Sequence, residues 1–239
     1  MDPFSVILIS YFKLHRLRAC VDSMLGQMRP CDELVIIDNS VSTAGEVDLE
    51  LREYLGDVFN RNFDDDSPAI SIYLNKWNHF FTSSVNEGIR KSSNEYIFLV
   101  NNDTEVVTPN TFKTLINFAK TDPTIATVTP VTLQSNDSVY CSGAYGGGAH
   151  KKDKIKEPRE AEWSNFAFVL IKRKVIEKIG PMALGRKKVG TREVELTHYH
   201  SDEEFCRRAT GHGFTHWVHP LIVRHYHKED ETWQHGNTG

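Results

Sequence analysis

Four stretches of this chain carry side chains able to do chemistry. The first is Asn101-Asn102-Asp103, which follows the apolar run YIFLV at 96–100. A hard divalent cation, Mn²⁺ or Mg²⁺, takes oxygen ligands and often uses only one or two carboxylates, with phosphate oxygens and water completing its shell. An acid just past a buried strand is well placed for that role, although Asp103 could do no more than turn the chain. The second stretch is Asp202-Glu203-Glu204. Ser201 and Glu204 have the spacing of a capping box, and acids in a first helical turn suit the helix dipole. Alternatively, one of the three is a general base that takes a proton from a hydroxyl. The readings are compatible, because a helix start holds a carboxylate rigidly; Glu204 would serve the cap and Glu203 would point away.

The third stretch is the histidine-rich run of His212, His216, His219, His225 and His227. On a strand His225 and His227 would share a face. No cysteine lies close by, so a structural zinc site is not expected. One imidazole completing a metal site is the better reading, with most of the five ordinary core or surface residues. The fourth is the basic set Arg186, Lys187, Lys188 and Arg192. It is either a solvated loop or a mobile clamp on a diphosphate or an anionic acceptor.

The elements that must hold these residues are legible from hydrophobic periodicity. FSVILI at 4–9 reads as a buried strand, and Leu14, Leu17, Val21, Met24, Leu25 and Met28 as one face of a helix closed by Pro30. Further strands are expected at 34–38, 70–74, 96–100 and 125–130, with a polar loop at 60–68 and a helix at 82–92. Thr108 and Pro109 look like the N-cap and first position of another helix. This βαβ alternation predicts an α/β fold with a mostly parallel sheet and helices on both faces. Ligands of such sheets bind beyond the carboxyl ends of the strands, which here read Ser10-Tyr11, Asp38-Asn39, Asn75 and Asn101-Asn102-Asp103. No GxGxxG follows the first strand, which argues against a dehydrogenase-type dinucleotide site. In the second half, 142–149 reads as a flexible loop or tight turns and 150–160 as a solvated charge run. A strand at 166–171 runs into a helix at 172–179. A long loop spans 184–200, a helix spans 201–213, and two strands close the pattern. One compact domain over 1–239 is expected, divided near residue 130 into a nucleotide half and an acceptor half.

Composition bounds the function. The chain has 239 residues, 39% of them hydrophobic and 25% charged, with a net charge of −4. That is ordinary for a globular protein and offers no global basic field for nucleic acid. Cys20, Cys31, Cys141 and Cys206 show neither CxxC pairing nor a disulfide framework. The opening MDPFSVILIS has no basic n-region, and no apolar run approaches a membrane span. The expected setting is cytoplasmic, at most peripheral to a membrane.

Taken together and in this order, the stretches resemble the family 2 glycosyltransferases of GT-A fold, of the rhamnosyltransferase-like kind. SVILISYFKLHRLRACVDSMLGQMRPCDELVIIDNS is similar to the family opening, NHFFTSSVNEGI to its N-x-G-x-x-x-A-x-N-x-G segment, and YIFLVNNDTEVVTPNTF to its strand with the N-N-D form of D-x-D. FAFVLIKRKVIEKIG and SDEEFCRRATGHGF follow the family's later segments, and V-R-H its late histidine. The resemblance implies roles. Ser10 and Tyr11 would lie along the nucleotide, largely through backbone, and Asp38 would contact base or ribose with Asn39 beside it. Asn78 would shape the base pocket, and Asn102 would lie near the donor ribose or sugar. Asp103 would hold Mn²⁺ or Mg²⁺ with His225 as a further ligand, and Asp202 would be the catalytic base. The sequence departs from the pattern at Phe12 for Asn, Phe80 for Gly and Ser201 for Glu. The implied reaction is an inverting transfer from a nucleoside diphosphate sugar, UDP-linked first and dTDP-linked next, to a hydroxyl acceptor such as a glycan. Three alternatives stay open: a hydroxylated base in DNA as acceptor, which the basic loop permits and the net charge does not support; a nucleotidyltransferase, disfavoured by the lack of glycine in ISYFKLHRL; and a non-catalytic nucleotide- or carbohydrate-binding relative.

Overall fold

Seven consecutive buried residues form strand β1 (Phe4–Ser10), and their alternation sends Phe4, Val6 and Leu8 into one core and Ile7 and Ile9 into the other. A strand buried on both faces needs helices on both. Helices α1 (Leu14–Leu25), α2 (Leu49–Arg61) and α4 (Thr111–Lys120) supply the first layer, and α3 (Phe80–Lys91), α5 (Arg173–Ile179) and α6 (Ser201–Thr210) the second. In α3 the small side is obligatory. A Cβ on Gly88 would stand 2.3 Å from Ile7 Cγ2, so only glycine lets this helix lie against β1. The computed structural model describes residues 2–226 apart from 63, 146–148, 190 and 198.

The remaining strands are β2 (Glu33–Asp38), β3 (Ala69–Leu74), β4 (Tyr96–Asn101), β5 (Thr104–Val106), β6 (Ile125–Leu133), β7 (Val139–Cys141), β8 (Ala144–Tyr145), β9 (Ala149–His150), β10 (Arg159–Ala161), β11 (Phe168–Lys172), β12 (Arg186–Val189), β13 (Arg192–Glu195) and β14 (Thr215–His225). The main sheet runs β10-β14-β6-β11-β4-β1-β2-β3, with β5 on β14 and β7 on β6. Strands β3, β2, β1 and β4 are parallel, and so are β6 and β14. Strand β11 runs against both β4 and β6, so the sheet is mainly parallel with one reversed strand inside it. The carboxyl ends of β1, β2, β4 and β14 therefore share one edge. No helix among the described residues is long and apolar enough to cross a membrane.

Several expectations need correction. Helix α2 was not anticipated, although Asp48 caps it by accepting from Leu51 N at 3.0 Å. Helix α4 starts at Thr111, because Thr108 uses its hydroxyl on the backbone of Ile222 in β14 instead of capping. Residues 184–200 are not one long loop: β12 and β13 pair as a hairpin with Arg186 opposite Glu195 and Lys188 opposite Glu193. Acids thus face two of the four bases of the basic set, which weakens it as an anion clamp. The two expected closing strands are one, β14, with an irregularity between His219 and Ile222.

Candidate active site

The site begins where β4 ends. After Asn101 the chain turns through Asn102 and Asp103 and returns as β5, which pairs antiparallel with β14 in the register His225↔Thr104. That register sets His225 beside Asp103 across 121 residues of sequence. Their side chains meet at 3.1 Å, His225 Nε2 to Asp103 Oδ1, with 6% and 15% of the side chains exposed. The N–H of Tyr226 donates to the carbonyl of Asp103 at 3.0 Å and fixes the turn. Asn102 ties the turn to the loop after β1, its amide donating to Phe12 O at 2.8 Å. The Oδ1 atom of Asn101 is buried with no hydrogen-bond partner among the described residues.

Asn101, Asp103 and His225 all line one cleft of about 390 Å³. Among the described residues no three His, Cys, Asp or Glu side chains converge as a closed cage. A carboxylate oxygen with one imidazole and an amide oxygen is a donor set that suits Mn²⁺ or Mg²⁺, which retain positions for phosphate oxygens and water.

Helix α6 brings the second carboxylate. Its N-cap is His200, held at φ 62, so the expected Ser201–Glu204 capping box does not form. Glu204 instead binds Arg208 at 2.9 and 3.0 Å. Glu203 does not point away: it is buried, with 1% exposed, and accepts from Arg207 Nε at 3.0 Å. Both pairings are i,i+4, a spacing readable in the sequence. Of the three acids only Asp202 lines the cleft. Burial pushes its carboxyl up to about 6, against which the N–H of Glu203, 2.9 Å from Oδ1, works in the other direction.

The sequence profile described as "Glycosyl transferase family 2" matches residues 5–189. The chain belongs to glycosyl transferase family 2. A curated relative, "Uncharacterized protein y4gI" of Sinorhizobium fredii (strain NBRC 101917 / NGR234), is 23% identical over 240 residues, covering 94% of this chain and 24% of its own length. The family 2 chain therefore spans about a quarter of that relative. Among solved structures, the mannosyltransferase PcManGT from Pyrobaculum calidifontis, in complex with GDP-Man and Mn²⁺, superposes with a TM-score of 0.65 at 12% identity, over 96% of this chain and 58% of that one. GalNAc-T7 with UDP, GalNAc and Mn²⁺ gives 0.69 at 16% identity, over 95% and 44%. At these identities the likeness is one of GT-A fold.

The family 2 cleft also collects Tyr11, Asn39, Asn78 and Asn102. Ser10 and Asp38 are not among its lining residues. The Ser10 carbonyl accepts from Asn39 N at 2.8 Å, and Asp38, 0% exposed, accepts from Arg52 Nε at 3.0 Å and Ser40 N at 3.1 Å. Tyr140, from the three-residue β7, was missed. Its ring centroid lies 5.6 Å from that of His225, and no periodicity marks so short a strand. Of the other histidines, His216 bonds Thr127 Oγ1 and Cys206 O, and burial pushes it down to about 4, which makes it a neutral core residue. His227 lies outside the described residues.

Because Glu203 is buried and paired, Glu203→Gln is not the silent control that a solvent-facing acid would be. It should destabilise the fold by about 1–3 kcal/mol, the worth of a charge-assisted hydrogen bond. Urea denaturation measures this, and turnover of the folded fraction should hold.

Proposed function

We propose that this chain is a metal-dependent, inverting glycosyltransferase that moves a sugar from a nucleoside diphosphate sugar to an acceptor hydroxyl. The observation that carries the reading is the His225–Asp103 pair and the raised carboxyl of Asp202 lining one cleft. Two fold neighbours whose complexes hold Mn²⁺ with GDP-Man, or with UDP and GalNAc, support it. Asp103 and His225 would hold the cation, with Asn101 Oδ1 offering a third donor. The cation, when bound, supplies positive charge opposite the leaving diphosphate. With a carboxyl near 6, Asp202 is ionised at pH 7 yet basic enough to accept a proton from an acceptor hydroxyl as that oxygen attacks the anomeric carbon. The protein's larger contribution is positioning, since donor and acceptor must meet in line. The donor is a nucleoside diphosphate sugar, with UDP-sugars the first to test and dTDP-sugars next, and the acceptor is a glycan hydroxyl. Residues up to about 130 form the nucleotide half and later ones the acceptor half.

A thermal-shift screen of nucleoside diphosphates and sugar nucleotides, with Mn²⁺ and with EDTA, tests this. A donor at 100 times its dissociation constant in Mn²⁺ should add about 2.7 kcal/mol of stability there, and clearly less at the same concentration in EDTA. No shift with any nucleotide in Mn²⁺ would sink the reading.

A further inference from the structure

The polar groups at and just beyond the carboxyl ends of β1 and β2 are already bonded to one another. Asp38 is buried against Arg52 and Ser40 N. Asn39 donates from Nδ2 to Ser84 Oγ at 2.8 Å and accepts at Oδ1 from Asn75 Nδ2 at 2.8 Å. Asn78 Oδ1 accepts from Phe80 N at 2.7 Å, and the Asn78 side chain also bonds the Tyr11 hydroxyl. The edge of a nucleobase entering here meets donors and acceptors that the fold has committed to itself. Reading a base by its edge would require breaking those bonds, and a buried polar group left unmatched is costly.

A ring face is available instead. Phe80, the first residue of α3, has φ 59, in the left-handed region that favours glycine. For a bulky side chain that conformation is strained, and such strain concentrates at ligand clamps. The Phe80 side chain also gains little burial in return: it lines the cleft and the residue is 49% exposed. Its backbone is pinned on both sides, N–H to Asn78 and carbonyl to Asn39 Nδ2 at 3.4 Å, so the ring is presented from a fixed point. Phe80 stands with Asn39 and Tyr11, beyond the carboxyl ends of β2 and β1. The pair suited to a diphosphate, Asp103 and His225, lies at the ends of β4 and β14.

We propose that Phe80 is the platform on which the donor's nucleobase stacks, and that the site holds the base by its face and discriminates weakly among bases. This rests on the sugar-nucleotide reading above and deepens it, because it replaces edge recognition by Asp38 with stacking on a residue outside the family pattern. Stacking tolerates any base, since every base has a π-face.

Calorimetric titration with UDP, dTDP, GDP, ADP and pyrophosphate in Mn²⁺ tests the proposal on wild type, Phe80→Ala and Phe80→Gly. Wild type should bind the four nucleotides within about tenfold of one another. Both variants should weaken all four by about 5- to 100-fold and leave pyrophosphate unchanged. Phe80→Gly should melt at or above the wild-type temperature, since glycine accepts the left-handed backbone without strain. A wild-type preference for one base beyond tenfold, variants that bind like wild type, or a Phe80→Gly protein that melts well below it would each overturn the proposal and leave the donor reading standing. If wild type binds none of the four nucleotides, the donor reading fails and this proposal falls with it.

Discussion

Asp202→Asn should lower turnover by about 10²–10⁴-fold, the worth of a positioned general base, with donor affinity nearly unchanged. The amide keeps the shape and loses the basicity. The same substitution should not harm the fold. The Asp202 carboxyl sits at about 6 in the folded protein against an ordinary value of 3.8, so the folded state favours the protonated form. Below about pH 3.8 the group costs nothing. As pH rises through 6 the fold must carry a desolvated carboxylate, at a cost of up to about 3 kcal/mol at 1.36 kcal/mol per pKa unit and less where water reaches the half-buried side chain. Asparagine removes that term. The variant should therefore melt as high as wild type or higher at pH 7–8, with the advantage shrinking towards pH 4. In wild type, kcat/KM should fall on an acid limb at or below about pH 6, because a nearby cation favours the ionised form. Near wild-type turnover by the Asn variant, with any competent acceptor, would rule Asp202 out as the base.

Removing a metal ligand should have the second largest effect. Asp103→Ala should weaken UDP binding in Mn²⁺ by at least about 10- to 100-fold, since even outer-shell partners of a metal carry that much. His225→Ala should act in the same direction, because its Nε2 meets the same carboxylate at 3.1 Å. Neither change should alter UDP binding in EDTA. A matched titration with and without metal decides the matter. An equal loss in both arms would mean that Asp103 supports the β4–β5 turn and not a cation.

The two predictions differ in how far the sequence alone could have taken them. Asp103 was legible as an acid beyond a buried apolar run, since strand ends of parallel sheets gather ligands. The expectation for Asp202 rests on its match to the family's acidic segment and on a local sorting of the three acids that the structure does not support. The capping box that should have engaged Glu204 is absent, and its carboxylate is held by Arg208 instead. Glu203 is the most buried of the three, which a run of charges in a first helical turn does not suggest. The i,i+4 arginines were the available signal: each pairs with one glutamate, and no basic residue stands four places after Asp202.

Local pattern by itself determined the strands β1, β2, β4, β6 and β11 and the helices α1, α3 and α6. Runs of β-branched residues and periodic helix faces depend only on neighbours within a turn or two. Tertiary structure alone decided what those elements bring together. The 3.1 Å meeting of His225 and Asp103 depends on β5, three residues long, pairing with β14 across the sheet. No short-range pattern encodes that register. The withdrawal of Asp38 onto Arg52 likewise depends on α2, which the sequence reading did not see, packing where a single arginine can reach the end of β2. Side-chain identity at the strand ends is written in the chain. Which of those side chains face the ligand is set by long-range pairing, where hydrogen-bond competition between distant residues settles each polar group's partner.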